Sequence, residues 1–430
     1  MPRPFRLCSH DRAGFSFAAL TNPWPPPRYG GSVRHEPSPT AADPAGTLAR
    51  ARAPVRAPSG AAPAPRLADW RSFDNPQAIA RWDRLAASAS QPNPFYESWY
   101  LLPSLRALDR GHAVRLLTLE VDGVLAGLLP VVAPPRYYAY PLPHWQNWVH
   151  ANCFLGLPLV ERGMERRFWR NVLEWADAAA GAPLFLHLQQ LPLSGPLYRA
   201  LREECRRRPA GTVWRAERAL LQSDLSPQAY LDASLSTKKR KELRRQQRRL
   251  EEEGAFAVTR CSTADGLPEW CADFLALERR GWKGAAGSAL ACQDAHAQMF
   301  TQILAEAAAR GRLERLTMTL DGRPVAMLAS FVAPPGAFSY KTAFDETYAR
   351  YSPGVLLQCE NLAMLDRADI DWVDSCAAQD HPMIDHFWRE RRAMASHSIG
   401  IGGAVRRALF TTLLRRECRS AKPTLAEAMP

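Results

Sequence analysis

One segment in the second half of the chain has the composition of a phosphate-binding helix start. In RYSPGVLLQ, Ser352 is a good N-cap, Pro353 suits the first helical position, and Gly354 leaves the backbone accessible. Unpaired backbone N–H groups and the positive end of the helix dipole meet at such a start, and both attract a pyrophosphate. The alternative is an ordinary turn and cap, since Ser-Pro-Gly is frequent in turns.

The strand-like segment SYKTAFDETY carries four residues that could move a proton or orient a substrate: Tyr340, Lys341, Asp345 and Tyr348. Strict strand alternation places Tyr340 and Lys341 on opposite faces of the strand. One of the two is therefore expected to point into a cleft, and the other to be packed or solvated.

The segment LERRGWKG places an aromatic residue and a cation between two glycines. Glu278, Trp282 and Lys283 could line the mouth of a ligand site there. The alternative is a helix C-cap with a packed tryptophan.

A polar cluster follows a predicted strand further along the chain. Its members are Asp374, Cys376, Asp380, His381, Asp385 and His386. Cysteine with histidine and aspartate could form a thiol nucleophile set, and the Asp-His pairs could hold a metal. The five-residue spacing of His381 and His386 does not put both on one helical face, so no metal site is expected. We favour a polar loop at the carboxyl end of a strand, where open α/β sheets bind ligands.

The elements that would position these residues occur twice. VRLLTLEVDGVLAGLLPVVAPP and RLTMTLDGRPVAMLASFVAPP each contain two strand-like runs around an Asp-Gly turn, at Asp122-Gly123 and Asp321-Gly322. Helices precede each copy, and an aromatic strand (YYAY, FSYKTAF), a helix and a further strand (PLFLHLQ, DIDWVDSC) follow it. This order predicts a duplicated α/β unit, with chance likeness of two hairpins as the alternative.

The predicted organisation has four parts. Residues 1–65 are a Pro/Ala/Arg-rich leader, predicted to be disordered or to result from an upstream start site. Residues 66–210 form a first, degenerate domain and residues 211–404 a second domain, with the boundary at RRRPAGTVW. Residues 405–430 are a C-terminal helix and tail.

The segment STKKRKELRRQQRRLEEEG predicts a basic surface helix, capped at Ser236 or Thr237 and ended by Gly254. It has neither interleaved aromatic residues for binding nucleic acid nor a bulky apolar face for a membrane. We expect a solvated face that attracts an anionic ligand, with contact to an anionic membrane surface as a second hypothesis. The terminal glutamates are expected to pair with Arg248 and Arg249.

The composition of the chain limits its expected partners and location. The net charge of +12 over 430 residues favours anionic partners. The 9 cysteines are scattered with no C-x-x-C pair, which excludes a disulfide framework and zinc-finger spacing and fits a reducing cytoplasm. No apolar run is long enough to span a bilayer. The sequence therefore predicts a cytoplasmic protein, with peripheral attachment to the inner membrane face as an alternative.

Taken in order, the basic helix, LERRGWKG, LTMTLDGRPVA, YKTAFDETYARYSPGVLL and WVDSC…DHPMIDHFW resemble the GNAT acyltransferase superfamily. The closest likeness is to the cellulose-biosynthesis (CelD-like) branch, related to the tandem-GNAT Fem-type transferases. The resemblance is strongest over residues 230–395 and weaker over residues 93–199. It implies an α/β (α+β) fold of two tandem GNAT-type domains, each a mixed, mainly antiparallel sheet flanked by helices.

The resemblance also implies an activity. An acyl group, typically acetyl, would pass from acetyl-CoA or another acyl-CoA to an amine on a small molecule or glycan, without a metal, in polysaccharide or cell-envelope synthesis. A polysaccharide synthase is then an expected partner. The residues that would hold the CoA pyrophosphate are Tyr351, Ser352, Gly354, Val355 and Leu356. Two alternatives are an aminoacyl-tRNA-dependent Fem-type ligase and a non-catalytic scaffold that binds nucleic acid or a membrane surface.

Amine acylation sets three chemical demands: a proton acceptor for the amine, a donor for the oxyanion and an acid for the leaving thiolate. The candidate acceptors are Asp345, Asp374 and His381. The candidate acids are Tyr340, Tyr348 and Tyr351. Lys341 could orient a carboxylate or phosphate. Positioning alone can carry much of such catalysis.

Overall fold

The computed structural model describes residues 64–138 and 140–420, so nearly all of the predicted leader lies outside the described residues. The strands are β1 Arg66–Asp69, β2 Arg115–Val121, β3 Val124–Val132, β4 Trp145–Asn147, β5 Leu159–Val160, β6 Phe185–Pro192, β7 Ala210–Leu221, β8 Phe256–Cys261, β9 Leu313–Leu320, β10 Arg323–Ala333, β11 Gly336–Phe344, β12 Trp372–Asp374 and β13 Glu390–Gly400. The α-helices are α1 Pro76–Ser88, α2 Ser98–Leu108, α3 Glu165–Ala178, α4 Pro196–Cys205, α5 Pro227–Ser234, α6 Thr237–Glu251, α7 Leu267–Arg280, α8 Trp282–Ala285, α9 Asp294–Ala309, α10 Pro353–Glu360 and α11 Ala404–Ser420.

All of these strands belong to one sheet, in the order β1-β2-β3-β4-β6-β13-β7-β12-β11-β10-β9-β8, with β5 attached to β3. Neighbouring strands are antiparallel except at β4–β6 and β11–β12, which are parallel. The predicted fold class, a mixed, mainly antiparallel sheet flanked by helices, is confirmed.

Two strands near the centre join the two halves of the chain. β7 follows α4 in sequence but pairs with β12 of the second half, while β13 ends the second half and pairs with β6 of the first. β7 and β13 also pair with each other over most of their length. β13 thus joins the strands of the second half to those of the first in one sheet. The proposed domain boundary near residue 210 falls where β7 begins.

The two predicted Asp-Gly hairpins are confirmed and share an irregularity. The φ angles are +50° and +79° at Asp122-Gly123, and +49° and +75° at Asp321-Gly322, as a two-residue turn with left-handed backbone requires. Register shifts follow at Ala126 and at Val325, each three residues past the glycine. A shared bulge position supports the predicted duplication, because bulges are specific local features rather than random defects.

The predicted aromatic strand YYAY is wrong. Tyr137 and Tyr140 exchange backbone hydrogen bonds of 3.0 Å, so this segment closes a tight turn on itself. The strand that joins β3 to β6 is instead Trp145–Asn147. Residue 139 lies outside the described residues.

The first helix and the basic helix both begin at a side-chain cap, and the cap of the basic helix is the predicted one. The Asn75 side chain accepts a hydrogen bond from Ala78 N–H at the start of α1. Ser236 accepts one from Lys239 N–H at the start of α6. The expected pairing of the terminal glutamates is wrong for Glu253, which bonds Arg350 across the fold instead of a neighbour on its own helix.

Two large hydrophobic clusters fill the interior. One combines apolar side chains of α1–α4 with those of α7 and α9, and α2 packs directly against α9. The other lies under α5, α6 and α10. Because the first cluster draws on both halves of the chain, residues of the first half lie close to the predicted site residues of the second.

We predict that a buried histidine makes the fold sensitive to acid. Burial lowers the pKa of His187 to about 3, and its Nδ1 lies 3.0 Å from Ser398 Oγ. An unfolded chain takes up this proton near pH 6.5, so stability is full above that pH and falls as pH drops towards 3. About 2 kcal/mol should be lost between pH 7 and pH 5.

The measurement is urea unfolding at a series of pH values with His187→Asn. This variant should have a shallower loss of stability in acid than the wild type. His112→Gln, at an exposed turn, is the matched control and should keep the wild-type slope. Equal slopes in the wild type and His187→Asn would contradict the prediction.

Candidate active site

The sheet opens between two parallel strands. β11 and β12 pair only from Gly336–Trp372 to Phe338–Asp374. β11 then continues through residues 339–344, whereas β12 ends at Asp374. Backbone N–H and C=O groups along this edge of β11 have no strand partner on that side among the described residues. We call the gap between residues 339–344 and residues 375–377 the fork, and an extended ligand could hydrogen-bond along it.

A register shift at the fork places two predicted site residues on the same face. Between the pairs Ala329–Lys341 and Phe331–Phe338, β11 has one residue more than β10. The extra residue breaks strict alternation, so Tyr340 and Lys341 both lie over the face that α7 and α9 cover. The predicted separation of these two side chains onto opposite faces is therefore wrong, and the Lys341 ammonium lies 5.8 Å from the centre of the Tyr340 ring.

α7 and α8 bring the predicted substrate contacts to this strand. Lys283 Nζ donates to Glu278 Oε1 at 2.8 Å and to the Thr342 carbonyl at 3.4 Å. The other oxygen of Glu278 accepts a 2.8 Å hydrogen bond from Leu290 N–H. Burial lowers the pKa of Lys341 to about 8, and nearby Lys283 lowers it further while Glu278 opposes the shift. Tyr340, Lys341, Glu278 and Lys283 therefore form one cluster.

Residues of the first half complete this cluster, and no motif in the sequence pointed to them. The hydroxyls of Tyr100 and Tyr340 are 3.4 Å apart. His150 stacks on Tyr100 with the ring centres 6.1 Å apart, and its pKa is lowered to about 3, first by burial and then by His296 and Lys341. Only the packing of α2 on α9 brings His150 and Tyr100 next to the second domain.

Asp374, a predicted proton acceptor, is fully buried between two guanidinium groups. Its carboxylate lies 3.3 Å from Arg218 Nη1 and 3.0 Å from Arg392 Nη1, and it accepts a 2.8 Å hydrogen bond from Cys376 N–H. Arg218 also donates to the Phe154 carbonyl, 2.8 Å away in the first half. These contacts make Asp374 a structural ion-pair partner at the base of the fork, so we do not assign it proton transfer.

The other two predicted acceptors differ in their contacts. Asp345 caps a short 3-10 helix by accepting hydrogen bonds from Thr347 N–H and Oγ1, at 3.0 and 2.7 Å. These hydrogen bonds make Asp345 a structural cap. His381 is half-buried in the loop after β12, and its pKa is lowered mainly by burial and further by Lys283. His381 therefore lies within electrostatic reach of the cluster and has a neutral ring at pH 7.

The predicted role of Ser352 as a side-chain N-cap of α10 is wrong. Ser352 occupies the N-cap position, but its φ is +46° and its side chain donates to the Ala349 carbonyl at 3.2 Å, so it does not cap α10. The reason is that Ser352 also ends the preceding 3-10 helix. Val355 and Leu356 N–H groups bond to the Ser352 carbonyl. At the start of α10, Gly354 is therefore the residue whose backbone N–H has no acceptor among the described residues and is available to a ligand.

Gly354 is packed, and a side chain there would collide with its neighbours. A Cβ atom at this position would come 2.7 Å from Met383 Sδ and 3.2 Å from a Phe344 ring carbon. The loop after β12 thus reaches over the start of α10. Of the other predicted cofactor contacts, Val355 and Leu356 are buried and Tyr351 donates its hydroxyl hydrogen to Glu253.

Two predicted residues lie at the edge of the cluster. Trp282 is 36% exposed, and its backbone N–H donates to Glu346 at 2.6 Å. Tyr348 packs against the second hydrophobic cluster. The structure does not bring either side chain to Lys341.

The basic helix α6 borders the start of α10. Gln246 Nε2 donates to the Arg350 carbonyl at 2.8 Å, and Lys239 lowers the pKa of His386, after burial, in the loop beyond β12. The basic helix α6 therefore lies against the 3-10 helix that precedes α10 and within electrostatic reach of the loop beyond β12.

The residues that the structure describes contain neither a cluster of metal ligands nor a membrane-spanning helix. No three His, Cys, Asp or Glu side chains are grouped so that they could hold a metal ion. No helix between residues 64 and 420 is both long and apolar enough to cross a membrane.

Comparison with known proteins agrees with this geometry. Residues 237–382, which include the fork and α10, match the acetyltransferase (GNAT) domain family. This part of the chain is therefore similar to a GNAT-type acetyltransferase domain. No curated protein matches the sequence.

Three solved structures are similar to the chain. The FemX structure has a TM-score of 0.50 at 9% identity, with 77% of this chain and 98% of FemX covered. A conserved protein of unknown function from Bacteroides thetaiotaomicron has a TM-score of 0.47 at 11% identity, with 75% of this chain and 97% of that protein covered. A tandem GNAT protein of the clavulanic acid biosynthesis pathway has a TM-score of 0.40 at 16% identity, with 80% of this chain and 99% of that protein covered. At such identities the likeness to FemX concerns the fold alone.

Proposed function

We propose that the protein is an N-acyltransferase that moves an acyl group, typically acetyl, from acyl-CoA to an amine. One observation carries this proposal: the open edge of β11 and the start of α10 belong to one continuous segment, residues 336–360. A thioester arm lying in the fork would hydrogen-bond to the open edge, and its pyrophosphate would reach the Gly354 amide. The match to a GNAT acetyltransferase domain supports the same reading.

The chemistry can be divided among this chain's own groups. The neutral amine attacks the thioester carbonyl, and a backbone N–H on the open edge of β11 stabilises the oxyanion. His381, whose ring is neutral, accepts the proton that the amine releases. As the tetrahedral intermediate collapses, the carbon–sulfur bond breaks and Tyr340 donates its proton to the departing thiolate. Burial raises the pKa of Tyr340, so its hydroxyl is protonated throughout the neutral range.

The charge of α6 and the sequence resemblance extend this proposal. Exposed cations such as Lys238, Arg248 and Arg249 would attract an anionic donor towards α10. The likeness to the CelD-like branch suggests a glycan amine and a role in polysaccharide or cell-envelope synthesis. The same cations could contact an anionic inner membrane face next to a polysaccharide synthase.

The first test is calorimetric titration of the full chain with acetyl-CoA and with a longer acyl-CoA. We expect saturable binding that weakens at least about tenfold in Gly354→Glu, because a carboxylate there repels the pyrophosphate and fills its place. Gly354→Ala is the matched control, since it adds the same Cβ contact with Met383 without the charge. Circular dichroism confirms that both variants are folded.

The outcomes separate the candidate functions. Equal binding by the wild type and Gly354→Glu would remove the helix start from the donor site. No binding of either acyl-CoA by the folded wild type would overturn the proposal. In that case charged tRNA becomes the donor to test, because α6 offers a phosphate-binding surface. RNA binding lost on charge reversal of Arg244, Arg245, Arg248 and Arg249, without any acyl transfer, would indicate a non-catalytic binding protein.

A further inference from the structure

We infer that the acceptor of this acyltransferase carries a carboxylate close to its amine, and that Lys341 binds this carboxylate with His150 beside it. The inference rests on the proposed function, since it concerns the second substrate of the same site. It assigns a chemical class, amino acids and their derivatives, to an acceptor that the fold alone leaves open.

The charges around Lys341 are not balanced. Lys283 lowers the pKa of Lys341, and Glu278 is the carboxylate that opposes this shift. Glu278 already accepts from Lys283 with one oxygen and from Leu290 N–H with the other. Lys341 is half-buried, and among the described residues its ammonium meets only the face of the Tyr340 ring, with no carboxylate or carbonyl oxygen in hydrogen-bond range. A cation withdrawn from water without an anion is costly, so the site favours an anionic ligand.

His150 provides an independent observation, a neutral hydrogen-bond donor without a partner in the described part of the chain. His150 Nδ1 accepts a 3.3 Å hydrogen bond from Asn152 N–H, so in the neutral ring the proton is on Nε2. That Nε2 atom is buried and has no hydrogen-bond partner within the described part of the chain. Lys341 helps to lower the pKa of His150, after burial and His296, so the two side chains lie within electrostatic reach of each other. Buried donors are nearly always satisfied in proteins, so an acceptor atom from a ligand is expected here.

Together the two groups fit a carboxylate better than other anions. A carboxylate has two oxygens, one for the ammonium and one for the imidazole N–H. Two alternatives are tested below. Lys341 could instead act as the proton acceptor of the reaction, or it could bind a carboxylate on the acyl group of the donor.

The register shift of β11 explains how the site arises. Without the extra residue near Tyr340, Lys341 would point to the opposite face of the sheet, away from His150. The bulge therefore turns Lys341 towards the first half of the chain. His296 on α9 also lies within electrostatic reach of Lys341.

The test compares free amino acids with their methyl esters as acceptors, with acetyl-CoA as donor and the full chain as enzyme. The readout is the ratio of kcat/KM for the acid to that for the ester. We expect the wild type to prefer the acids, and Lys341→Met to lower this ratio about 10- to 100-fold through KM for the acid. Lys341→Arg should restore part of the preference, and His150→Phe should lower it less than Lys341→Met does.

The control and the contrary outcomes are defined in the same assay. Lys241→Met, an exposed lysine of α6, should leave the ratio at the wild-type value. A fall in kcat by the same factor for acids and esters in Lys341→Met would make Lys341 the proton acceptor and overturn the inference. The inference would also be overturned if Lys341→Met impaired the reaction with succinyl-CoA but not with butyryl-CoA, because the carboxylate that Lys341 binds would then be on the donor.

Failure of this inference can be told apart from failure of the proposed function. If acetyl-CoA binds by calorimetry but no acid of the panel is acetylated in preference to its ester, the inference is wrong and the acyl-CoA site stands. If acetyl-CoA does not bind to the folded wild type, the proposed function falls, and the inference falls with it.

Discussion

Replacing Asp374 by asparagine should lower the free energy of unfolding by about 3–5 kcal/mol, because it leaves two buried guanidinium groups without an anion. Asp374 is 0% exposed, and Arg218 and Arg392 are nearly as well buried. Burial lowers the pKa of Arg392, which indicates how unfavourable an uncompensated charge is there. The asparagine keeps the shape of the side chain, so the loss measures charge rather than a cavity.

The measurement is the shift of the urea midpoint for the full-length variant. Asp369→Asn is the matched control, because Asp369 also forms a two-pronged pair with an arginine, Arg367, but at an exposed position. Exposed pairs contribute about 0–1 kcal/mol. Adding Arg218→Met to Asp374→Asn should recover part of the loss, since it removes one of the orphaned charges. Equal shifts for Asp374→Asn and Asp369→Asn would refute the structural role of Asp374.

Replacing Tyr340 by phenylalanine should lower kcat about 10²- to 10⁴-fold if its hydroxyl protonates the departing thiolate. The ring stays in place among aromatic neighbours such as Phe331, whose ring centre is 4.4 Å away. Among the described residues, the Tyr340 hydroxyl has one protein hydrogen bond to lose, the 3.4 Å contact with the Tyr100 hydroxyl, so little stability should be lost.

Tyr100→Phe is the control, because it breaks the same contact but leaves the Tyr340 hydroxyl in place. Its kcat should stay within a few-fold of the wild type. Measuring kcat with acetyl-CoA and a saturating amine separates the effect from acceptor binding. If Tyr340→Phe and Tyr100→Phe lose activity equally, the two hydroxyls act as one structural pair, and Tyr340 is not the proton donor.

Local sequence chemistry determined the elements and their ends. An Asp-Gly pair between two strand-like runs strongly favours a two-residue hairpin turn, so the hairpins at Asp122 and Asp321 could be predicted. The side-chain cap at Ser236 acts within three residues, and the basic helix starts as predicted. The repeated hairpins could be predicted for the same reason, since each forms between neighbours in the chain, whereas the fold class was implied by the family resemblance.

Tertiary structure decided the chemistry of the site. Tyr340 and Lys341 share a face because pairing with β10 shifts register by one residue, which strand alternation in a single sequence does not reveal. Asp374 became an ion-pair partner because β7 and β13 bring Arg218 and Arg392 to it from distant parts of the chain.

The packing of the two halves has the same consequence on a larger scale. His150 is more than one hundred residues from Lys341 in sequence, and it comes within electrostatic reach of Lys341 because α2, whose Tyr100 stacks on His150, packs on α9. The sequence by itself thus determined which elements form and which residues could do chemistry. Which of those residues meet depended on long-range packing, because burial and pairing are properties of the assembled sheet rather than of any local segment.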